Sequence, residues 1–184
     1  TLPSVNTIAD GTAVKTPGSQ IFPYIQQNLD EIITVTDEEL AVTFIDMVEN
    51  HKLICEGSGL LTIAATRKLD IQGKKVVSII SGGNMDVIAM SSIVQQGIIL
   101  RDRIFTVSVL LPDRPGELSK VTGFVAAQKG NIIKLEHNQF VSINRSAAVE
   151  LQITLESFGY EHKMQIMEAL EQGGYQPKLV RVNI

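Results

Sequence analysis

Three short stretches of this chain set hydrogen-bonding or charged side chains beside bare backbone. Val76 to Ile80 is a largely β-branched run that stops on Ser81-Gly82-Gly83, so a hydroxyl stands next to two residues without side chains. Glycine allows close approach of a ligand to the main chain, and a serine hydroxyl donates and accepts hydrogen bonds without carrying charge. Glu56-Gly57-Ser58-Gly59 repeats the theme with a carboxylate, and Asp113-Arg114-Pro115-Gly116 places an acid and a base on a proline turn. Each stretch also reads as a plain turn, because Gly and Pro punctuate loops wherever they cluster. Taken alone, Ser81-Gly82-Gly83 is more often a turn than a site. Glu56 serves equally well as a turn carboxylate, and Asn84 reads best as a helix cap.

Other chemistries are poorly supplied. His51, His137 and His162 lack metal-ligand spacing and read as surface or packing residues, so no metal site is expected. There is no Gly-x-Ser-x-Gly elbow, no Gly-x-Gly-x-x-Gly and no Walker sequence. Cys55 is the only cysteine, and beside Leu53 and Ile54 it reads as a small buried side chain rather than a reactive thiolate. Sixteen basic against twenty acidic side chains give no single-sign field, so neither nucleic acid nor a membrane surface is an expected partner. With 44% hydrophobic residues the 184-residue chain can bury one sizeable core or two small ones, and a cytoplasmic location is expected. It opens on Thr1-Leu2-Pro3 without an initiator methionine, which suggests a piece of something longer.

These side chains need elements to position them. Asp10-Gly11 and Pro17-Gly18 mark a loop-rich start. Ile32 to Val35 is a short β-branched run, and Thr36-Asp37-Glu38-Glu39 is a capping box opening a helix with Leu40, Phe44, Met47 and Val48 on one face, ending near Asn50. Lys52 to Cys55 reads as a strand, 56–59 as a turn, Leu60 to Leu69 as a helix, and Val76 to Ile80 as a parallel strand covered on both faces. A helix from Asn84 to about Gln96 follows, closed by Gly97. The pattern then changes, which places a linker at 101–103 between domains 1–100 and 104–184. Beyond it come strand Phe105 to Leu111, turn Pro112 to Gly116, helix Glu117 to Lys129, strands Asn131 to Phe140 and Ala147 to Leu155, helix Tyr160 to Glu171 and strand Tyr175 to Val182. The order is β-α-β-β-α-β, the ferredoxin-like split motif.

From Leu111 to Ile133 the sequence LPDRPGELSKVTGFVAAQKGNII resembles the first strand, turn, helix and Gly-Asn-Ile segment of ACT-type regulatory domains. Upstream, TIADGTAVKTPG, DEIITVTDEEL, ICEGSGLLTIAA and SIISGGNMD together resemble the C-terminal part of the catalytic domain of threonine ammonia-lyases, pyridoxal-phosphate enzymes of fold type II. The resemblance implies an α/β catalytic remnant followed by an α+β ACT domain. It implies that Ser81 hydrogen-bonds the pyridine nitrogen of the cofactor, that Gly82 and Gly83 leave room beside the ring, and that Glu56 lies near its edge. The family's Schiff-base lysine and its glycine-rich phosphate loop have no counterpart here, so no catalytic residue is assigned, and this chain alone is expected to bind no cofactor and to be inactive.

The parent reaction so implied converts L-threonine to 2-oxobutanoate and ammonia. The resemblance implies an amino-acid effector, isoleucine or valine, bound between two such domains, against the first turn and helix start at Asp113, Gly116, Glu117 and Leu118, where unpaired N–H groups favour a carboxylate, and the start of the neighbouring second strand at Asn131. The resemblance also implies a homodimer through the ACT domain and a homo-oligomeric parent. A separate amino-acid-sensing module is the alternative, as is part of a serine dehydratase or racemase. A nucleotide-binding domain joined to a regulatory module ranks third.

Overall fold

Thr36 starts the first long helix as its sequence predicts. In the computed structural model, which describes residues 1–138 and 149–182, its hydroxyl accepts from the Glu39 N–H at 3.2 Å while the Glu39 carboxylate accepts from the Thr36 N–H at 2.8 Å. The chain forms two compact units, Thr1–Gly97 and Ile98–Ile184.

In the first unit a 3₁₀ turn at Asp10–Thr12 precedes α1 (Phe22–Asn28) and α2 (Asp37–Asp46). A π-helical turn, Met47–His51, continues α2 until Lys52 adopts φ 58° and ends it. Two further helices follow, α3 (Gly57–Thr66) and α4 (Val87–Leu100). Leu40, Ala41 and Phe44 of α2 pack with Leu60 and Ala64 of α3, Ile93 of α4, and Ala9 and Cys55, a dry cluster that drives the unit together. Burial pushes the Cys55 thiol above its ordinary range, in keeping with a packing role.

Several expected elements differ. Residues 52–55 and 76–80 belong to no strand, because a strand exists only where a neighbour completes its hydrogen-bond ladder and none of the described residues does so. Val77 and Ile79 are 88% and 74% exposed, the reverse of a strand covered on both faces. The stretch at 56–59 is not a turn before a helix at Leu60, since α3 starts at Gly57. Asn84 does not cap α4. Asp86 does, its carboxylate accepting from Ile88 N at 3.0 Å and Ala89 N at 3.1 Å. Gly97 lies inside α4 and does not close it, because a Cβ there would sit 2.6 Å from Ile45 Cγ1 and 2.7 Å from the Ala41 carbonyl. Glycine is what lets α4 approach α2 so closely.

The second unit is a four-stranded antiparallel sheet with two helices: β1 (Ile104–Leu111), α5 (Glu117–Ala127), β2 (Asn131–Asn138), β3 (Val149–Glu156), α6 (Tyr160–Gln172) and β4 (Lys178–Val180). The strand order is β2-β3-β1-β4. Alternation along β1 sends Phe105, Val107, Val109 and Leu111 into a core with Leu151, Ile153 and Leu155 of β3, Val121 and Val125 of α5, and Ile166 and Leu170 of α6. On the other face Thr106 and Thr154 share a hydrogen bond at 2.9 Å, and Ser108 donates to Glu150 at 2.5 Å, holding that carboxyl below its ordinary range. The expected polar turn between β2 and β3, and the strand ends at Phe140 and Ala147, lie outside the described residues. The last strand pairs only over Lys178–Val180, shorter than Tyr175 to Val182.

Residues 101–103 form a hydrogen-bonded turn, Arg103 N donating to Ile98 O and Ser157 N to Arg103 O. His162 is the one histidine of the three that is buried. Its Nδ1 accepts from Phe158 N at 3.1 Å and its Nε2 meets the Gln128 carbonyl at 2.6 Å, so the ring ties the start of α6 to the end of α5. Among the described residues no helix is long and apolar enough to cross a membrane.

Candidate functional site

The backbone around Ser81 is fixed by α3 rather than by a sheet. A Cβ at Gly59 would lie 1.8 Å from the Ser81 carbonyl oxygen, so only glycine permits the first turn of α3 to rest against that peptide. Glu56 N donates to Gly82 O at 3.3 Å, and Thr62 Oγ1 donates to Ile79 O at 2.9 Å. Gly82 has φ 78°, and the Glu56 carboxylate fills the place a side chain would take, with Oε1 2.0 Å from that Cβ position. The structure therefore brings Ser81, Gly82 and Glu56 together. Gly83 is open, its nearest neighbour being the Ile54 carbonyl at 3.9 Å.

Ser81, Gly82 and Gly83 are exposed, and the Ser81 hydroxyl makes no hydrogen bond among the described residues. One side of the Ser81 peptide is sealed against protein while its hydroxyl is available. Gly59 and Asp86 were missed as positioning residues. The local signal for Gly59 was only the second glycine of Glu56-Gly57-Ser58-Gly59. Ser58 was missed too: its Oγ is buried without a hydrogen-bond partner among the described residues, 2.9 Å from where a Gly11 Cβ would sit.

In the second unit the five expected effector positions do not converge within one copy. β1 and β2 both run antiparallel to β3, so they run parallel to each other; Asn131 shares the register of Ile104 opposite Glu156, whereas the Asp113 turn follows Leu111. The length of β1, about 24 Å at 3.4 Å per residue, separates Asn131 from Asp113, Gly116, Glu117 and Leu118. Asn131 is engaged with Glu156 at 2.7 Å. The Glu117 N–H already donates to Arg114 O. Gly116 has φ 91° with nothing within 4 Å of its Cβ position, so its glycine answers to backbone conformation and not to crowding.

Glu117 instead opens onto a groove of about 650 Å³, walled by Leu110, Pro112 and Phe124, whose ionisable groups are Glu117, Lys120 and Tyr175. Lys120 Nζ lies 2.6 Å from Glu117 Oε1, and Tyr175 Oη donates to Oε2 at 3.3 Å. The lysine holds the Glu117 carboxyl below its ordinary range, and the carboxylate in turn raises Lys120. Burial, then Glu117, raises Tyr175.

Residues 1–82 match the family described as pyridoxal-phosphate dependent enzyme. Over 95% of its length the chain is 34% identical to the L-threonine ammonia-lyase of Thermotoga maritima and 36% identical to that of Geobacter sulfurreducens. It covers 44% of each, so the chain spans less than half the length of these curated relatives. Among solved structures, the serine racemase of Dictyostelium discoideum aligns with 47% of this chain and 29% of its own, at 40% identity and a TM-score of 0.39.

The residues present fit one side of a pyridoxal-phosphate site. An uncharged hydroxyl at Ser81 near the open backbone of Gly83 suits a ring nitrogen and a flat ring, whereas Gly82 does not leave the expected room, because the Glu56 carboxylate fills the place beside it. The covalent lysine and the phosphate-cradling glycine loop are not supplied by this sequence, whose only glycine pairs are Gly82-Gly83 and Gly173-Gly174.

Proposed function

We propose, from the match of residues 1–82 to the family described as pyridoxal-phosphate dependent enzyme, that this chain is the C-terminal part of an L-threonine ammonia-lyase. In this reading residues 1–100 form the ring-nitrogen wall of the cofactor site and 104–184 form an ACT-type regulatory domain. The observation that carries the reading is the Ser81 peptide, clamped by Gly59 and Glu56 with its hydroxyl left free.

When bound, the cofactor would supply an electron sink for the pair left at the α-carbon when its proton is removed, before that pair forms the α–β double bond and the β-hydroxyl departs. Ser81 would hold the ring nitrogen through a neutral hydrogen bond, which would moderate the sink by not stabilising a protonated ring. Gly83 keeps the space beside the ring clear, and Glu56 fills the gap at Gly82.

The test is made in the full-length enzyme carrying this chain, by following 2-oxobutanoate release from L-threonine. Ser81→Ala is expected to lower kcat about tenfold, the equivalent of one hydrogen bond of about 0.5–1.5 kcal/mol, with the fold intact. An unchanged kcat at saturating cofactor removes Ser81 from the site and the reading with it.

A further inference from the structure

Ser58 sits in the first turn of α3, and its Oγ is buried with no hydrogen-bond partner among the described residues. The Glu56 carboxylate borders the same space. A Cβ at Gly11 would lie 2.9 Å from Ser58 Oγ and 3.8 Å from Glu56 Oε1, so both oxygens line the room that Gly11 leaves open, and no hydrogen bond joins them directly. We propose that this room is a binding site for one ordered water shared by Ser58 and Glu56, and that the water-held carboxylate fixes the Gly82 turn next to Ser81. The water site follows from the geometry of the chain itself; its consequence for Ser81 rests on the cofactor reading.

A buried hydroxyl without a partner carries the full cost of its desolvation, and native structures leave few such groups unmet. Glu56 is not free to meet it. Its Oε1, Cδ and Cγ lie 2.0, 2.1 and 2.6 Å from the place of a Gly82 Cβ, so swinging toward Ser58 would uncover the gap that the carboxylate fills. The occupant is therefore small and carries both a donor and an acceptor. An anion would be repelled by the carboxylate, and an apolar group would leave both oxygens unpaired. Water donates to Glu56 while accepting from Ser58, which supplies the two polar partners that a buried water requires. Gly11 belongs to the site, since any side chain there would begin 2.9 Å from Ser58 Oγ and take the room of the water.

Ser58 then acts through Glu56, as a positioning residue. Main chain and side chain of Glu56 hold the same glycine: its N–H donates to Gly82 O at 3.3 Å, and its carboxylate packs where a Gly82 side chain would stand. Gly82, at φ 78°, in turn sets the peptide that joins it to Ser81.

The experiment has three readings. A crystal structure of the full-length enzyme is expected to hold a water about 2.6–3.2 Å from both Ser58 Oγ and a Glu56 carboxylate oxygen; a protein side chain bonded to Ser58 Oγ in its place overturns the proposal. In urea unfolding of this chain, Ser58→Ala and Glu56→Met are each expected to lower the midpoint, and the double variant to fall no lower than the weaker single one, because both lose the same bridge. A Ser58→Ala midpoint at or above that of the parent overturns the proposal too, since removing an unpaired buried hydroxyl relieves its desolvation cost. In the full-length enzyme loaded with pyridoxal phosphate, Ser58→Ala is expected to shift the visible absorption band of the cofactor in the same direction as Ser81→Ala. A band that moves in Ser81→Ala and stays in Ser58→Ala refutes the positioning role. If the water and the coupling are found while Ser81→Ala changes neither the band nor kcat, the water site stands and the cofactor reading falls.

Discussion

Ser81 owes its position to two residues that have no chemistry of their own. Gly59 is required because the Ser81 carbonyl occupies the place of its side chain, and Gly82 because its φ of 78° and the Glu56 carboxylate leave no other choice. Gly59→Ala is expected to destabilise the chain by about 1–3 kcal/mol, the usual cost of overpacking, because the added carbon meets backbone that cannot rotate away. Urea denaturation measures this, and an unchanged midpoint would show that the Ser81 peptide is not held as described. The sequence made Ser81, Gly82 and Glu56 visible as a group through resemblance and not through spacing, since 25 residues separate Glu56 from Ser81. Gly59 stayed hidden because a glycine does not announce which backbone comes near it.

Helix boundaries were readable where their determinants are local. The Thr36–Glu39 capping box lies within four residues and is present as expected. Asn84 and Asp86 are both good caps by type, and only the geometry, with Asp86 bonding Ile88 and Ala89, separates them. Gly97 was misread as a stop because its reason lies across space in Ala41 and Ile45. The cap also gives α2 a pH signature. Lys68 and then the Thr36 N–H hold Glu39 below 4.5; Lys120 does the same for Glu117, and Ser108 for Glu150. A depressed carboxyl pKa stabilises the fold above the unfolded value and loses that contribution as pH falls through the folded one. The unfolding midpoint is therefore expected to hold from neutrality down to about pH 4.5 and to fall below it, less steeply in high salt for the exposed pairs. Thr36→Ala is expected to cost about 1 kcal/mol at neutral pH, whereas Lys68→Met, which removes the largest cause of the Glu39 shift, is expected to flatten part of this acid limb. A midpoint that rises on acidification would contradict the assignment.

At the scale of the molecule the two units differ in how completely they satisfy themselves. The second has a paired sheet over a closed core, Val107, Val109, Ile153 and Leu155 all at 0% exposure. In the first, residues 76–80 keep Val77 and Ile79 exposed and outside any ladder. Their composition reads as a buried strand because composition reports what a segment is suited to, whereas pairing depends on neighbours that the described residues do not supply. The resemblance to enzymes more than twice as long accounts for this under the proposed function. Hydrogen exchange of this chain should show it directly, with amides of β1 and β3 most protected and those of 76–80 exchanging at nearly unfolded rates; protection at 76–80 equal to β3 would mean a partner had been overlooked. Under the proposed function Ser81 faces the cofactor's ring nitrogen. The most direct measurement is a crystal structure of the full-length enzyme loaded with pyridoxal phosphate. The expected result is Ser81 Oγ about 2.7–3.2 Å from the ring nitrogen, with Gly59 still against the Ser81 carbonyl. A different side chain at that nitrogen, with Ser81 beyond hydrogen-bond reach, would contradict the account.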